Sequence, residues 1–202
     1  MLEMIIFIVG IAIFSGSSFM FLILKNRNQR MATINTIVSF VTVASYMLMF
    51  DGSGTLMVPS GELVYWTRWI FYAGSCSLLM LEISTLMGKD KWMTVEIIAS
   101  NIIVMLTGAL ASITEAASKW MFFVFSSIAF GYILYRLREG KTDKFLVTFT
   151  TIFWSMFPVA WILSPAGFGI LNAAWTALGY LVLDVITKIY FGYHTTMHYQ
   201  VE

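Results

Sequence analysis

Seven long apolar segments dominate this chain of 202 residues. A helix needs about 20 mostly apolar residues to cross a bilayer, where the chain must bond all of its own backbone amides. The seven segments reach that length and are separated by short polar breaks. They cover residues 4–24, 31–50, 64–87, 92–112, 119–138, 145–163 and 170–193. We therefore predict an all-α membrane protein with seven transmembrane helices, folded as one domain over residues 1–202.

The composition excludes several other classes of protein. Only 11% of the residues are charged, whereas a soluble domain carries about 25%. The net charge of +1 is not that of a basic nucleic-acid-binding protein, so we expect no nucleic-acid partner. The first apolar segment has Glu3 before it and basic residues behind it, the reverse of a signal peptide. The break at 51–61 is the one long enough to form a small hairpin.

Basic residues predict the orientation in the membrane, because cytoplasmic loops are enriched in lysine and arginine. The even-numbered loops hold only Lys119, at the edge of the fifth helix. The odd-numbered loops hold Lys25, Arg27, Arg30, Lys89, Lys91, Arg136, Arg138, Lys141 and Lys144. We expect the N terminus outside the cell and the C terminus in the cytoplasm.

Three ionisable residues lie well inside the predicted helices, Glu82, Asp184 and Lys188, and Arg68 lies about one turn inside the outer end of the third helix. A charge in mid-bilayer costs at least about 2.5–3.5 kcal/mol, so such residues usually mark functional sites. Asp184 and Lys188 are four apart and share one helix face. A buried lysine either forms an ion pair or condenses with an aldehyde to a Schiff base. A purely structural ion pair is the alternative.

The third and sixth helices carry further patterns. Phe71, Ser75 and Glu82 form one stripe, in which Glu82 is the specific element because phenylalanine and serine usually serve packing. On the sixth helix, Pro158 should bend the backbone. The aromatic residues around it, which could wall a flat conjugated ligand beside a buried lysine, are Trp154, Phe157 and Trp161.

Three segments resemble microbial (type 1) rhodopsins: Arg68–Glu82, Trp154–Trp161 and Leu183–Gly192, the last being similar to the retinal-binding helix. The resemblance implies a seven-helix rhodopsin fold and all-trans retinal as a Schiff base on Lys188, with Asp184 as its counterion. It also implies that Arg68 holds Asp184 and nearby water, and that Ser75 and Cys76 tune the colour. The implied pocket contains Trp69, Tyr72, Cys76, Gly108, Phe122, Ser126, Trp154, Phe157 and Trp161.

Residues that differ from those of other microbial rhodopsins indicate which kind of transport to expect. Outward proton pumps have an aspartate, and chloride pumps a polar residue, at the position of Phe71. Xenorhodopsins usually lack the aspartate kept here as Asp184. Phe71, Ser75 and Glu82 together resemble the schizorhodopsins, which are light-driven inward proton pumps. The resemblance implies that a proton leaves toward the cytoplasm under the influence of Glu82. It also implies a homo-oligomer, and specifically a trimer, because relatives form trimers.

Alternatives stay open at this point. A photosensor signalling to a separate transducer would share the same pocket, and a light-gated channel is disfavoured by the apolar Phe71. We expect no enzymatic activity. His194 and His198 are four apart, but no third metal ligand is evident, so we expect a frayed polar helix end and no metal site.

Overall fold

The computed structural model describes residues 2–57 and 63–199, in which the chain forms seven long helices. Each of them is long and apolar enough to cross a membrane. The seven predicted transmembrane helices are thus confirmed. They are α1 (Leu2–Ile23), α2 (Gln29–Asp51), α3 (Trp66–Leu86), α4 (Lys91–Ile113), α5 (Ala116–Arg138), α6 (Lys144–Leu163) and α7 (Ala173–His198).

A small hairpin lies between α2 and α3. Its strands, β1 (Leu56–Met57) and β2 (Leu63–Val64), pair antiparallel, which confirms the predicted hairpin. Residues 58–62 lie outside the described residues. Because β2 takes up the first positions that we predicted as helical, α3 begins at Trp66 instead of residue 64. Gly52, with φ at +81°, ends α2 in the left-handed conformation that glycine adopts readily.

Side-chain caps fix where four of the helices begin. Each cap is an Asn or Asp whose side chain accepts a hydrogen bond, 2.9–3.1 Å long, from the backbone amide three residues further on. Such a cap satisfies an amide that the first helical turn leaves free. The start of each helix in turn decides which residues reach mid-membrane. The four capping residues are Asn28, Asp90, Asp143 and Asn172.

The last helix, α7, changes its winding in the middle. A π-helical segment, Val185–Tyr190, carries Lys188 and separates two α-helical parts. Single π turns within α-helices are frequent at functional sites. The helix continues to His198, and the ring centroid of His194 lies 4.1 Å from that of Phe145 on α6. Our prediction of a frayed end is therefore wrong, because aromatic packing holds the last turns.

Two apolar clusters fill opposite halves of the bundle. We call the end that holds β1, β2 and the start of α1 the hairpin end, and the opposite end, which holds the α1–α2 connection and the end of α7, the basic end. The cluster nearer the hairpin end includes Phe7, Phe14 and Leu181. The cluster nearer the basic end includes Leu79 and Phe191. The buried charges lie among these apolar residues.

Candidate functional site

Lys188 and Asp184 form a buried ion pair on α7. The Lys188 Nζ lies 2.8 Å from Asp184 Oδ1, and both side chains are almost fully shielded from solvent. The contact has the distance of an ion pair but not the angles of a hydrogen bond. The structure thus brings together the two residues that the sequence placed one turn apart.

Two tyrosines hold the other oxygen of Asp184. The hydroxyl of Tyr46, on α2, donates to Asp184 Oδ2 at 3.0 Å, and that of Tyr72, on α3, donates to the same oxygen at 2.6 Å. Hydrogen bonds to an ionised acceptor are stronger than neutral ones. The ring of Tyr72 also lies under the amine, with its centroid 3.9 Å from Lys188 Nζ. Asp184 is therefore stabilised as an anion from three helices.

Arg68 reaches Asp184 only indirectly. Its guanidinium donates to the Tyr72 hydroxyl at 3.1 Å and lies 4.3 Å from the ring centroid of Tyr180. Within residues 2–57 and 63–199, Arg68 forms no ion pair with Asp184. Arg68 therefore positions Asp184 indirectly, by donating to the Tyr72 hydroxyl that itself donates to Asp184.

A mostly apolar, partly open cavity lies near the ion pair, among α3 to α7. It encloses about 820 Å³ of empty space, including the part open to its surroundings. Phe122 is not among its lining residues; its neighbour Phe123 takes that place, with its ring stacked on Trp161 at a centroid distance of 4.9 Å. The predicted pocket residues that do line the cavity are Trp69, Tyr72, Cys76, Gly108, Ser126, Trp154, Phe157 and Trp161.

The walls of this cavity are flat and held in place. The indole of Trp161 donates to Ser112 Oγ at 2.9 Å, which fixes its ring plane. A Cβ on Gly108 would lie 2.5 Å from the ring of Trp69, so only glycine lets that indole pack against α4. Lys188 does not itself line the cavity, but its amine lies over the ring of Tyr72, which does. Aromatic walls with a buried amine this close suit a flat conjugated aldehyde. The residues present therefore fit retinal.

Glu82 is a second buried carboxylate, nearer the basic end. The Asn35 side-chain amide on α2 donates to Glu82 Oε1 at 3.1 Å, and the Thr195 hydroxyl on α7 donates to the same oxygen. The other oxygen, Oε2, has no hydrogen-bond partner among the residues described. Sequence reasoning missed Asn35 and Thr195, for which the only signal was a polar side chain inside an apolar segment.

The remaining predicted residues of α3 differ in their surroundings. Phe71 is half-buried next to Tyr72 and does not line the cavity. Ser75 is buried, and its hydroxyl has no hydrogen-bond partner in the part of the chain that is described. Cys76 is a buried free thiol that lines the cavity. Over the described ranges, Glu82 and Asp184 are the buried carboxylates, so α3 offers no carboxylate beside Lys188.

Comparison with known proteins identifies the family. A family model described as bacteriorhodopsin-like protein matches residues 1–198. The chain belongs to this family. It is 30% identical to bacteriorhodopsin from Halobacterium salinarum over 176 residues, which cover 79% of this chain and 67% of that protein. The predicted resemblance to microbial rhodopsins is thus confirmed. The protein is a multi-pass membrane protein, and its family consists of light-driven ion pumps that bind retinal.

Solved structures agree with this assignment. The crystal structure of schizorhodopsin 4 superposes with a TM-score of 0.94 at 53% identity, covering 98% of this chain and all of that one. The thermophilic rhodopsin from Rubrobacter xylanophilus superposes with a TM-score of 0.90 at 22% identity, covering 96% of this chain and 94% of that one, which shows the shared fold alone. The predicted microbial rhodopsin fold is confirmed.

Proposed function

We propose that this rhodopsin is a light-driven inward proton pump, and not an enzyme, with retinal bound covalently to Lys188. The observation that carries the proposal is that the carboxylates on the two sides of Lys188 differ in their hydrogen bonding. Toward the hairpin end, Asp184 already contacts Lys188 and accepts two tyrosine hydrogen bonds. Toward the basic end, Glu82 is buried with one oxygen free of described partners. The 53% identity to schizorhodopsin 4 supports the same function.

The residues of the cavity would hold the chromophore and its charge. Retinal would form a Schiff base with the Lys188 amine and supply the light-driven isomerisation. The aromatic walls would orient it and exclude water from the cavity. Asp184 would balance the positive charge at the Lys188 nitrogen, because it lies 2.8 Å away and is held by Tyr46 and Tyr72.

The direction of proton movement follows from the available acceptors. The proton at the Lys188 nitrogen has no oxygen to accept it at Phe71, and Asp184 is stabilised as an anion by its two donors. Glu82 attracts the proton toward the basic end by its negative charge. A new proton would then reach the Lys188 nitrogen from the hairpin end, past Arg68. Glu82 thus decides the direction, whether it binds the proton or only draws it through water.

The orientation turns this movement into inward transport. The loops at the basic end hold most of the basic residues, so we propose that this end faces the cytoplasm. The N terminus then lies outside and the C terminus inside. A homo-oligomer, and specifically a trimer, stays a prediction from the resemblance to other rhodopsins.

The test is the external pH of an unbuffered suspension of cells that express the protein with retinal. Illumination should make the medium more alkaline, and a protonophore should abolish the change. Acidification abolished in the same way would mean an outward pump and would overturn the proposed direction. No pH change from a coloured protein would favour a photosensor.

A substitution of Glu82 tests its proposed role separately. Glu82→Gln should keep the colour, because the pocket and Asp184 are unchanged, but should lose most of the pumping. The matched control is Glu96→Gln, which removes an exposed carboxylate near the same end, 2.6 Å from Arg136, and should pump like the wild type. Full inward pumping by Glu82→Gln would contradict the assigned role.

A further inference from the structure

A line of polar side chains runs along the buried face of α2. Asn35, Ser39, Thr42 and Tyr46 follow each other at spacings of four, three and four, which places them on one face of the helix. None of the four is more than 1% exposed. We call these four residues the α2 polar line. Polar groups are costly to bury inside a membrane and tend to be functional there.

The two ends of the α2 polar line meet the two buried carboxylates. Tyr46 donates to Asp184, the partner of Lys188, and Asn35 donates to Glu82. From Tyr46 to Asn35 the helix rises about 16 Å. One helix face therefore connects the site where the proton starts with the carboxylate that draws it.

Between Ser75 and Glu82, the buried side of α3 is apolar. Leu79 lies on α3 between Ser75 and Glu82 and is fully buried. It belongs to the same apolar cluster as Phe149 and Trp154 of α6 and Phe191 of α7. Between Ser75 and Glu82 this cluster gives a proton little to bind, so the hydroxyls of α2 offer the more continuous polar route.

Several buried atoms near the α2 polar line lack partners among the described residues. They include Asn35 Oδ1, Ser45 Oγ beside Tyr46, and Glu82 Oε2. Asn35 Oδ1 points at the backbone of α7, because a Cβ on Gly192 would lie 2.5 Å from it. Buried polar groups of this kind are usually satisfied by internal water. These unpartnered atoms are therefore the places along α2 where internal water would bond.

The two middle residues carry hydroxyls that can exchange partners. Thr42 donates to the Val38 carbonyl at 2.8 Å, and Ser17 on α1 donates to Ser39 Oγ at 3.0 Å. Successive members of the line are separated by about 4.5–6 Å of helix rise, which one water molecule with two hydrogen bonds can bridge.

We propose that the α2 polar line is the path by which the proton moves from the Lys188 nitrogen to Glu82, relayed by Thr42, Ser39 and bridging water. This inference rests on the proposed function. At each step an oxygen accepts one proton and releases another to the next oxygen, so one proton leaves Lys188 and one reaches Glu82 or the water beside it. Asn35 is a positioning residue that holds Glu82 at the end of the path.

The test removes the two hydroxyls. The double variant Ser39→Ala/Thr42→Val should keep the wild-type visible spectrum, because Tyr46 and Asp184 remain. Its flash-induced proton release, followed with a pH-sensitive dye, should slow about tenfold or more, as the loss of two relaying hydroxyls predicts. Light-minus-dark infrared spectra should also lose the water bands that change in the wild type.

Matched controls separate a relay from packing. Ser18→Ala/Thr36→Val removes two hydroxyls that, like that of Thr42, bond carbonyls of their own helices, at 3.0 and 2.7 Å, and should release protons at the wild-type rate. Thr42→Ser keeps the hydroxyl and should retain most of the rate that Thr42→Val loses. If the double variant yields no pigment, these two single variants decide the question.

Each outcome supports or overturns the path. Wild-type release by Ser39→Ala/Thr42→Val, with Glu82→Gln inactive, would refute the path and leave the inward pump standing. Equal losses in Thr42→Ser and Thr42→Val, or in the control pair, would mean a packing effect and also refute it. If the wild type itself fails to alkalinise the medium, the proposed function fails and the path fails with it.

Discussion

Gly192 allows Asn35 to reach Glu82, and replacing it with alanine tests that geometry. An added Cβ would lie 2.5 Å from Asn35 Oδ1 and 3.0 Å from the ring of Phe21. Asn35 would have to retreat by about 1 Å to reach van der Waals distance. Its 3.1 Å hydrogen bond to Glu82 would then lengthen to about 4 Å, beyond hydrogen-bond range.

The expected loss of stability follows from these two effects. Overpacking costs about 1–3 kcal/mol. Loss of a hydrogen bond to a charged group costs about 1.5–3 kcal/mol. Because relief of the clash is what breaks the bond, the two costs overlap, and we expect Gly192→Ala to lower the free energy of unfolding by about 2–4 kcal/mol.

The assay is unfolding in a titration of mixed micelles with denaturing detergent, followed by loss of the visible absorbance band. Gly179→Ala is the control on the same helix, since nothing lies within 4 Å of its added Cβ, and it should not destabilise the protein. In an Asn35→Ala background the clash with the amide is absent, so Gly192→Ala should cost much less there. Wild-type stability of Gly192→Ala, or an equal cost in both backgrounds, would refute the reasoning.

Two further substitutions test the ion pair and its support. Lys188→Ala should abolish visible absorbance of the protein supplied with retinal, and a persisting band would remove the Schiff-base assignment. Tyr46→Phe deletes one of the two donors to Asp184, at a cost of about 1.5–3 kcal/mol, so thermal bleaching should be about tenfold faster or more. Tyr132→Phe, which removes a hydroxyl bonded to exposed Glu96, is the control, and equal bleaching rates in the two variants would contradict the role of Tyr46.

The sequence predicted the helices and the charged pair well, because both depend on local spacing. Segment length decides which residues span the membrane, and a separation of four places Asp184 against Lys188. The rotation of one helix against another is not local. Adjacent residues differ by about 100° around a helix, so choosing Phe122 over Phe123 missed the face of α5 that meets Trp161.

The partners of the carboxylates were missed for the same reason. Tyr46 and Asn35 lie in the second apolar segment, and nothing in that segment tells which face meets α7 or α3. Their functions appear only once packing brings Tyr46 to Asp184 and Asn35 to Glu82. The end of α7 depends on tertiary contacts too, since Phe145 packs against His194 and the Asn28 amide donates to the Tyr199 carbonyl at 2.7 Å.

The proposed direction of transport rests on a difference between the two buried carboxylates, Asp184 and Glu82. Both Asp184 and Glu82 are fully buried and both accept hydrogen bonds from two side chains, so burial and bond number do not separate them. They differ in the remaining oxygen. In Asp184 that oxygen lies 2.8 Å from the Lys188 amine, whereas in Glu82 it has no partner within the described ranges. In the proposed pump, a proton at Lys188 therefore has on one side an anion whose oxygens contact the Lys188 amine and two tyrosines, and on the other side a carboxylate with an open oxygen.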